Sequence, residues 1–585
     1  MTFRIAPGAV AALVASLALA GCNTVHAPRS APPQAAAPVT IGIAAINDFH
    51  GALEEPRQIV MMADGKGGTV AVPAGGAAYL ASALDSVRSQ YANTLTVAAG
   101  DLISASPLTS SLYLDEPSVK ALTAMGLEYT AVGNHEFDRG QVELKRVQLG
   151  GCARNTQRTP CAVEPFAGAG YKYLAASTIL PDGSTLFPAT AIKHFGSGAR
   201  EVSVGLIGLT LKGTAGIVSP GGIKGLTFAD EATTINALVP QLKAQGADAV
   251  VVLIHEGAVQ GTGGNPNTCT DISGDILPIL ARLDPRVDIV ISGHTHKSYV
   301  CDYRRDSGTA PMLLTSAGNN GTLVTDIRLE IDPATHRVVG RTARNVVVQS
   351  QPFTNSRGAV ANSDLYPVFQ PRADVAATVA TYAAAAHDFS ARPIGAVSAA
   401  GNKTAQGQLI ADAQLAAGKP AGAQIAFMNN GGVRAPLNVG SDGTVTFGDI
   451  YRVQPFGNQV MTVTLKGAAV LSILEQSVGG SSEDGSLYVS QGMAVRFDSR
   501  RPKGSRLVSA TLNGKPIDPG ADYRVAVSDF LLGGGDGFRQ LAAGTDRVPG
   551  PLDIEAMEAW IKAVPVRTVP EQPRVVDLAP AAAGS

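Results

Sequence analysis

At 585 residues the chain is longer than one hydrophobic core usually organises, so two or more domains are expected. Apolar residues make up 45 % and charged ones 16 %, which excludes wholesale disorder. A formal net charge of −2 excludes a protein that tracks along nucleic-acid polymers on a basic stripe, while leaving room for a small anionic ligand held by a few local cations.

Residues 1–22 read as an export signal, with Arg4 as its positive start and residues 9–20 as its apolar stretch. That stretch is shorter than the roughly 20 residues a membrane-spanning helix needs. It closes on Leu19-Ala20-Gly21-Cys22, which resembles the bacterial lipobox, with Cys22 lipidated as the mature N-terminus. An ordinary cleaved signal with an incidental cysteine is the alternative. Residues 23–38, rich in Pro and Ala, read as a tether. Asn23 is not the Asp associated with inner-membrane retention, so a lipid anchor in the outer membrane is expected, facing the periplasm or the surface. The anchor is the only membrane contact expected, and no obligate protein partner is implied.

Residues 39–350 alternate short apolar runs with helix-like stretches. The runs TIGIAAIND (40–48), TLTVAAGD (94–101), YTAVGNHE (129–136), DAVVVLIHEG (248–257) and VDIVISGHTHK (287–297) suit strands buried on both faces of a layered α/β domain. Each stops at Asp, Asn or His close to Gly or Ser, and ligands of open α/β sheets gather beyond the carboxyl ends of strands. Four cysteines fall in this region, and an oxidising compartment would pair Cys152 with Cys161 and Cys269 with Cys301, the second pair tying two loops around a strand. Metal ligation by these cysteines has no C-x-x-C spacing to support it.

Residues 351–390 read as a linker whose Ala-rich part, 374–389, has strong helix propensity and serves as a hinge. Residues 391–578 form a smaller α+β domain, and 579–585 a tail. Within it, SLYVSQGMAVRFD and SRLVSATLNGKPIDPGADYRVAV are hairpin-like, the second turning at Asn513-Gly514.

Five of nine histidines stand at the strand ends. In Asp48-Phe49-His50, two ligands two residues apart point the same way from an extended strand end. Asp101 offers a carboxylate that can bridge two cations, Asn134 an amide oxygen, and His255, His294 and His296 three more imidazoles. Two carboxylates, one amide and four imidazoles suit divalent ions such as Zn, Mn, Co or Fe. Seven ligands exceed one tetrahedral ion and match a pair sharing a carboxylate, an arrangement that recurs in phosphatases and nucleases.

The blocks Asn47-Asp48-Phe49-His50-Gly51, Gly100-Asp101, Gly133-Asn134-His135-Glu136-Phe137-Asp138, His255-Glu256 and Gly293-His294-Thr295-His296 resemble, in order, those of the calcineurin-like metallophosphoesterases, and more narrowly the 5′-nucleotidase/UDP-sugar hydrolase family. The resemblance implies a four-layer α/β domain with two divalent metal ions. One ion would take Asp48, His50, Asp101 and His296, the other Asp101, Asn134, His255 and His294. It also implies a catalytic dyad of His135 and Asp138. Glu136 and Glu256 are expected to orient the histidines, and Arg139 to lie on the surface.

Three later blocks, 428–434 (MNNGGVR), 454–458 (QPFGN) and 530–538 (FLLGGGDGF), resemble the family's C-terminal domain. That likeness implies base stacking on Phe456 and Phe530, ribose binding by Asp536, and polar contacts from Asn429, Arg434 and Asn458. Upstream, the block begun by Lys403 lacks an Arg that many relatives carry, and a Lys there is a point charge rather than a bidentate fork. The function implied is hydrolysis of nucleoside 5′-monophosphates to nucleoside and phosphate by metal-activated water. The alternatives are a UDP-sugar or dinucleotide pyrophosphatase, a 2′,3′-cyclic-nucleotide phosphodiesterase, and a lipoprotein that binds nucleotides without cleaving them.

Overall fold

A computed structural model describes residues 37–156, 158–218, 221–261, 265–304, 311–355, 358–478 and 485–579. The signal, Cys22, most of the tether and most of the tail lie outside the described residues. Residues 38 onward form one compact unit.

The apolar runs become strands because alternate side chains find a core on each side. Val39–Ile46 (β1), Asn93–Ala98 (β2), Tyr129–Ala131 (β3) and Lys172–Leu174 (β4) are parallel neighbours in one sheet. A second sheet takes Thr190–Phe195 (β5), Val202–Thr210 (β6), Ala249–His255 (β7), Ile289–Ser292 (β8), Ser298–Tyr303 (β9) and Met312–Ala317 (β10). The chain then returns to the first sheet with Leu323–Asp332 (β11) and Arg337–Val347 (β12). Strand orders are β12-β11-β1-β2-β3-β4 and β9-β10-β8-β7-β6-β5.

The two sheets face each other through one core. Ile41, Ile43, Leu95 and Val97 of the first meet Val204, Leu206, Val251, Leu253 and Ile289 of the second. The outer face of the first sheet packs on Ala77–Arg88 (α1) and Glu116–Ala124 (α2), through Leu80, Leu84, Val119 and Leu122. The outer face of the second packs on Glu231–Ala244 (α3), through Ile235 and Val239. The result is the expected α-β-β-α stack. Parallel β1, β2 and β3 in one sheet and β7 and β8 in the other deliver their carboxyl ends to a single rim.

Ala373–Ser390 (α4) is the anticipated Ala-rich helix, and it lies against α1 and α2. Lys403–Gly418 (α5) follows. A five-stranded sheet is then built from Ile425–Asn429 (β13), Gln459–Lys466 (β14), Leu487–Val489 (β15), Asp522–Ser528 (β16) and Thr545–Leu552 (β17), in the order β15-β13-β16-β14-β17. Asp553–Lys562 (α6) packs with α5 on one face of it.

Asn513 and Gly514 have φ of 50° and 77° between strands Leu507–Leu512 and Lys515–Pro516, the turn read from the sequence. The other expected hairpin does not form. β15 pairs with β13, while Met493–Phe497 pairs with Leu507–Leu512, because each apolar face finds a different sheet to cover. Both expected cysteine pairs are bonded, Cys152–Cys161 and Cys269–Cys301. Cys301 stands within β9 rather than in a loop, so the second bond fastens a strand to the 265–270 loop.

Candidate active site

Asp48, Asp101, Asn134, His255, His294 and His296 come together at the rim, as the strand ends foretold. The backbone that brings them there is not extended. Asp48, His50, Asp101, His294 and His296 all have positive φ, between 46° and 71°. Such conformations are uncommon outside glycine and cost on the order of 1 kcal/mol or more each, so the surrounding structure must impose them. Asp48 and His50 thus reach the same cluster by two left-handed residues, correcting the expectation of simple alternation along a strand.

The ligand atoms form two groups that share Asp101. Asp48, His50, Asp101 and His296 make one, and Asp101, His255 and His294 the other, with atoms in each group within 4.8 Å of one another. Asn134 joins the second group, its Oδ1 3.1 Å from His255 Nε2. His50 Nε2 and His296 Nε2 face each other at 3.0 Å.

Backbone carbonyls fix two of the rings. His50 Nδ1 lies 3.0 Å from the Ser104 carbonyl and His255 Nδ1 2.7 Å from that of Ala99. Each carbonyl can accept from an Nδ1–H, which leaves the Nε2 lone pair directed into the cluster. For His255 that lone pair would meet Asp101 Oδ2 at 3.0 Å, which is repulsive unless a positive charge lies between or the ring is protonated. Burial works against an imidazolium there, yet Asp101 outweighs it and pushes His255 up to about 10. His50 and His294 go the other way, each pushed down to about 3, first by burial. A buried set of carboxylates and imidazoles whose ligand atoms converge, and whose His255 otherwise needs a proton beside Asp101, fits divalent cations.

Supporting residues hold the ligands from behind. Asn47 donates to Asp48 Oδ2 at 2.7 Å and to the Gly318 carbonyl at 2.6 Å, and Asp48 also accepts from the His294 N–H. Glu136 does not orient a histidine. Its carboxylate accepts the N–H groups of Asp101, Leu102 and Gly133, fastening the β2 and β3 ends to each other, and burial followed by Asp101 pushes it up to about 7. Glu256 accepts from the Gly257 N–H and lines the cleft. Arg139 is half-buried rather than a free surface residue. It pairs with Asp115, which is fully buried.

His135 stands beside the cluster, its N–H donating to Asp101 Oδ1 at 2.9 Å and its Nδ1 2.8 Å from Asp138 Oδ2. Burial disfavours its charged form, but Asp138 and Asp101 together raise its pKa. Its ring centroid is 6.2 Å from that of Phe456, at 21° between planes, and the Arg434 guanidinium lies 5.8 Å from the same Phe456 ring.

These groups open on one cleft of about 790 Å³, lined among others by Asp101, Asn134, His135, Asp138, His294, His296, Asn429, Arg434, Phe456, Asn458, Phe530 and Asp536. The second half of the chain therefore contributes every residue expected of it. Asn429 Nδ2 donates to Asp536 Oδ2 at 2.8 Å. A Cβ on Gly535 would lie 2.5 Å from the Phe530 ring, so the glycine lets that ring lie against the backbone. Lys403 begins α5 and is not among the residues lining the cleft. Sequence reasoning missed Asn47, Asp115 and Asp529, whose carboxylate accepts from the N–H groups of Gln459 and Phe530. Asn47 adjoins a ligand and could have been suspected from that; nothing local marks the other two.

The family model described as calcineurin-like phosphoesterase matches residues 41–298, and that described as 5′-nucleotidase, C-terminal domain, matches residues 375–543. The chain is 32 % identical to the cell wall protein Lmo0130 of Listeria monocytogenes, over 86 % of this chain and 64 % of that one. It is 29 % identical to the endonuclease YhcR of Bacillus subtilis, over 90 % and 40 %. The chain thus spans less than two thirds of the length of either relative. A crystal structure of a 5′-nucleotidase precursor from Thermus thermophilus superposes with a TM-score of 0.71 at 25 % identity, covering 93 % of this chain and 100 % of that one.

Residues 41–298 are thus a calcineurin-like phosphoesterase domain. With its second domain, the chain belongs to the 5′-nucleotidase family.

Proposed function

We propose that the protein hydrolyses nucleoside 5′-monophosphates to nucleoside and phosphate, with two divalent ions held by the two ligand groups that share Asp101. One observation carries the reading: the metal-ligand cluster and a pair of phenylalanines with an aspartate open on the same cleft. When bound, the ions would supply Lewis acidity at the phosphoryl oxygens and a lowered pKa for water.

The chain's own residues do the rest. Phe456 and Phe530 offer faces for a base, and stacking is worth about 1–3 kcal/mol per base whatever its identity. Asp536, steadied by Asn429, accepts from ribose hydroxyls. Arg434 directs a half-buried guanidinium at the anionic group with Asn458 nearby, giving charge-assisted hydrogen bonds. His135, held by Asp138, presents N–H and positive charge where negative charge grows on the transferring phosphoryl group. Holding base and phosphate at opposite ends of one cleft fixes orientation before reaction.

A second reading has its own support. The cleft is also lined by Lys212, Glu231, Glu256 and Asp275, more residues than a monophosphate needs, which suits a larger substrate such as a UDP-sugar or dinucleotide. The test is a panel of AMP, UDP-glucose, a dinucleotide, a 2′,3′-cyclic nucleotide, single-stranded DNA and an aryl phosphate, run after chelation with single metals added back. AMP turnover that returns with metal supports the first reading. Activity on the aryl phosphate alone removes nucleotide recognition, and cleavage of DNA would align the protein with the relative named an endonuclease.

For location we propose export and anchoring through a lipid on Cys22. Two disulfides suit an oxidising compartment, and no helix among the described residues is long and apolar enough to cross a membrane. Cys22→Ser protein that still partitions into detergent with the membrane fraction would refute the anchor.

A further inference from the structure

Beyond Asp101, the loop between β2 and α2 bends through four more residues of positive φ, Ser104, Ala105, Leu114 and Asp115, at 64°, 47°, 57° and 61°. Ser104, Ala105 and Leu114 have no intrinsic preference for that path. What holds it is the Asp115 carboxylate, 0 % exposed, which accepts from the Ser104 N–H at 3.0 Å, from Ser110 Oγ at 2.5 Å and from Arg139. Arg139 reaches Ser104 as well, Nη1 donating to Oγ at 3.3 Å. Ser104 is therefore gripped at its N–H and its hydroxyl, and the group left facing the cluster is its carbonyl, 3.0 Å from His50 Nδ1.

We propose that Asp115 and Arg139 are a positioning pair for His50. By clamping Ser104 they place the one carbonyl that holds the His50 proton on Nδ1, and so keep the Nε2 lone pair aimed at the cation shared with Asp48, Asp101 and His296. The inference rests on the metal reading of that cluster. A ring released from its carbonyl can take the other tautomer, which puts an N–H where the cation must bind. The pair itself is closed. A buried carboxylate needs its cation, and removing either member leaves the other charge uncompensated.

The test uses the full chain, stripped by chelation, with Mn²⁺ alone titrated calorimetrically into the parent, Arg139→Lys, Arg139→Met and Asp115→Asn. Loss of a group that orients a ligating histidine typically weakens metal binding about 10–100-fold. We expect one of two binding events to weaken by that factor in Arg139→Met and Asp115→Asn. The event assigned to Asp101, His255 and His294 should change less than about threefold. Arg139→Lys, which keeps the charge and loses the guanidinium, should fall between. Circular dichroism and thermal midpoint report folding, and should Asp115→Asn fail to fold, the two Arg139 variants decide. Lowered thermal midpoints with both Mn²⁺ affinities unchanged would overturn the positioning role and leave the metal cluster intact. A parent that binds no Mn²⁺ would overturn the cluster and, with it, this inference.

Discussion

Asp553 is joined to the segment that carries Asn458 of the cleft and is the most telling place to test how this domain holds its shape. It begins α6, and its N–H donates to the Asn458 carbonyl at 2.8 Å. The side chain is 1 % exposed. Oδ1 accepts from the Ile554 N–H at 2.7 Å, while Oδ2 has no hydrogen-bond partner. Burial therefore pushes the carboxyl up to about 8, against 3.8 for an ordinary aspartate. Between those two values the folded chain keeps a proton that the unfolded chain has released. Stability is then lost as pH rises, at about 1.4 kcal/mol per pH unit for one proton. The contribution is whole below the unfolded value and gone above the folded one, so its ceiling is about 6 kcal/mol over the full window. Between pH 5 and pH 8 the loss would be at most about 4 kcal/mol.

Asp553→Asn stays neutral throughout. An amide nitrogen in place of Oδ2 lacks a partner and costs about 1–3 kcal/mol, but that cost does not change with pH. The measurement is urea unfolding of parent and variant at pH 5, 6.5 and 8, with metal chelated in both. The variant should gain on the parent steadily as pH rises. A difference in unfolding free energy that stays constant from pH 5 to pH 8 would show that Asp553 is ionised in the native protein, and the burial argument would be wrong.

Two further outcomes are expected. Phe456→Leu and Phe530→Leu should each raise KM for AMP roughly 5- to 150-fold, the equivalent of about 1–3 kcal/mol of stacking, while hydrolysis of an aryl phosphate changes little; equal losses on both substrates would place the rings in the core rather than against a base. Gly133→Ala would set a Cβ 2.1 Å from Asp101 Oδ1, 2.4 Å from Asp101 N and 2.7 Å from Glu136 Oε2. Overpacking of this kind costs about 1–3 kcal/mol, and here it falls on the shared carboxylate, so metal binding measured by calorimetry should weaken at both ligand groups together. Unaltered binding at either group would refute the shared role of Asp101.

Much of the site is written in the order of residues along the chain. Parallel strands buried on both faces need long runs of Val, Ile, Leu and Ala, and such strands must end together at one rim. Polar residues that closely follow each run are bound to meet there, and so Asp48, Asp101, Asn134, His255 and His294 are legible as one cluster from the sequence alone. Turn chemistry is equally local: Asn513-Gly514 declares itself because few other pairs accept two positive φ values in succession.

Folding in three dimensions decided the rest. Left-handed backbone at five of the ligands is stabilised by partners far along the chain, and no window of sequence contains them. The partner of β15 depended on which sheet had an open edge beside it, not on the segment that follows it. Arg139 looked like an ordinary exposed arginine because its carboxylate lies 24 residues away on the other side of a loop. Asp553 starts a helix as many aspartates do, and only the fold buries its carboxyl. Local pattern fixes which residues a strand or turn will present, since those preferences act over a few bonds. Burial, charge pairing and strain belong to neighbours brought together by the fold, and only the assembled molecule reveals them.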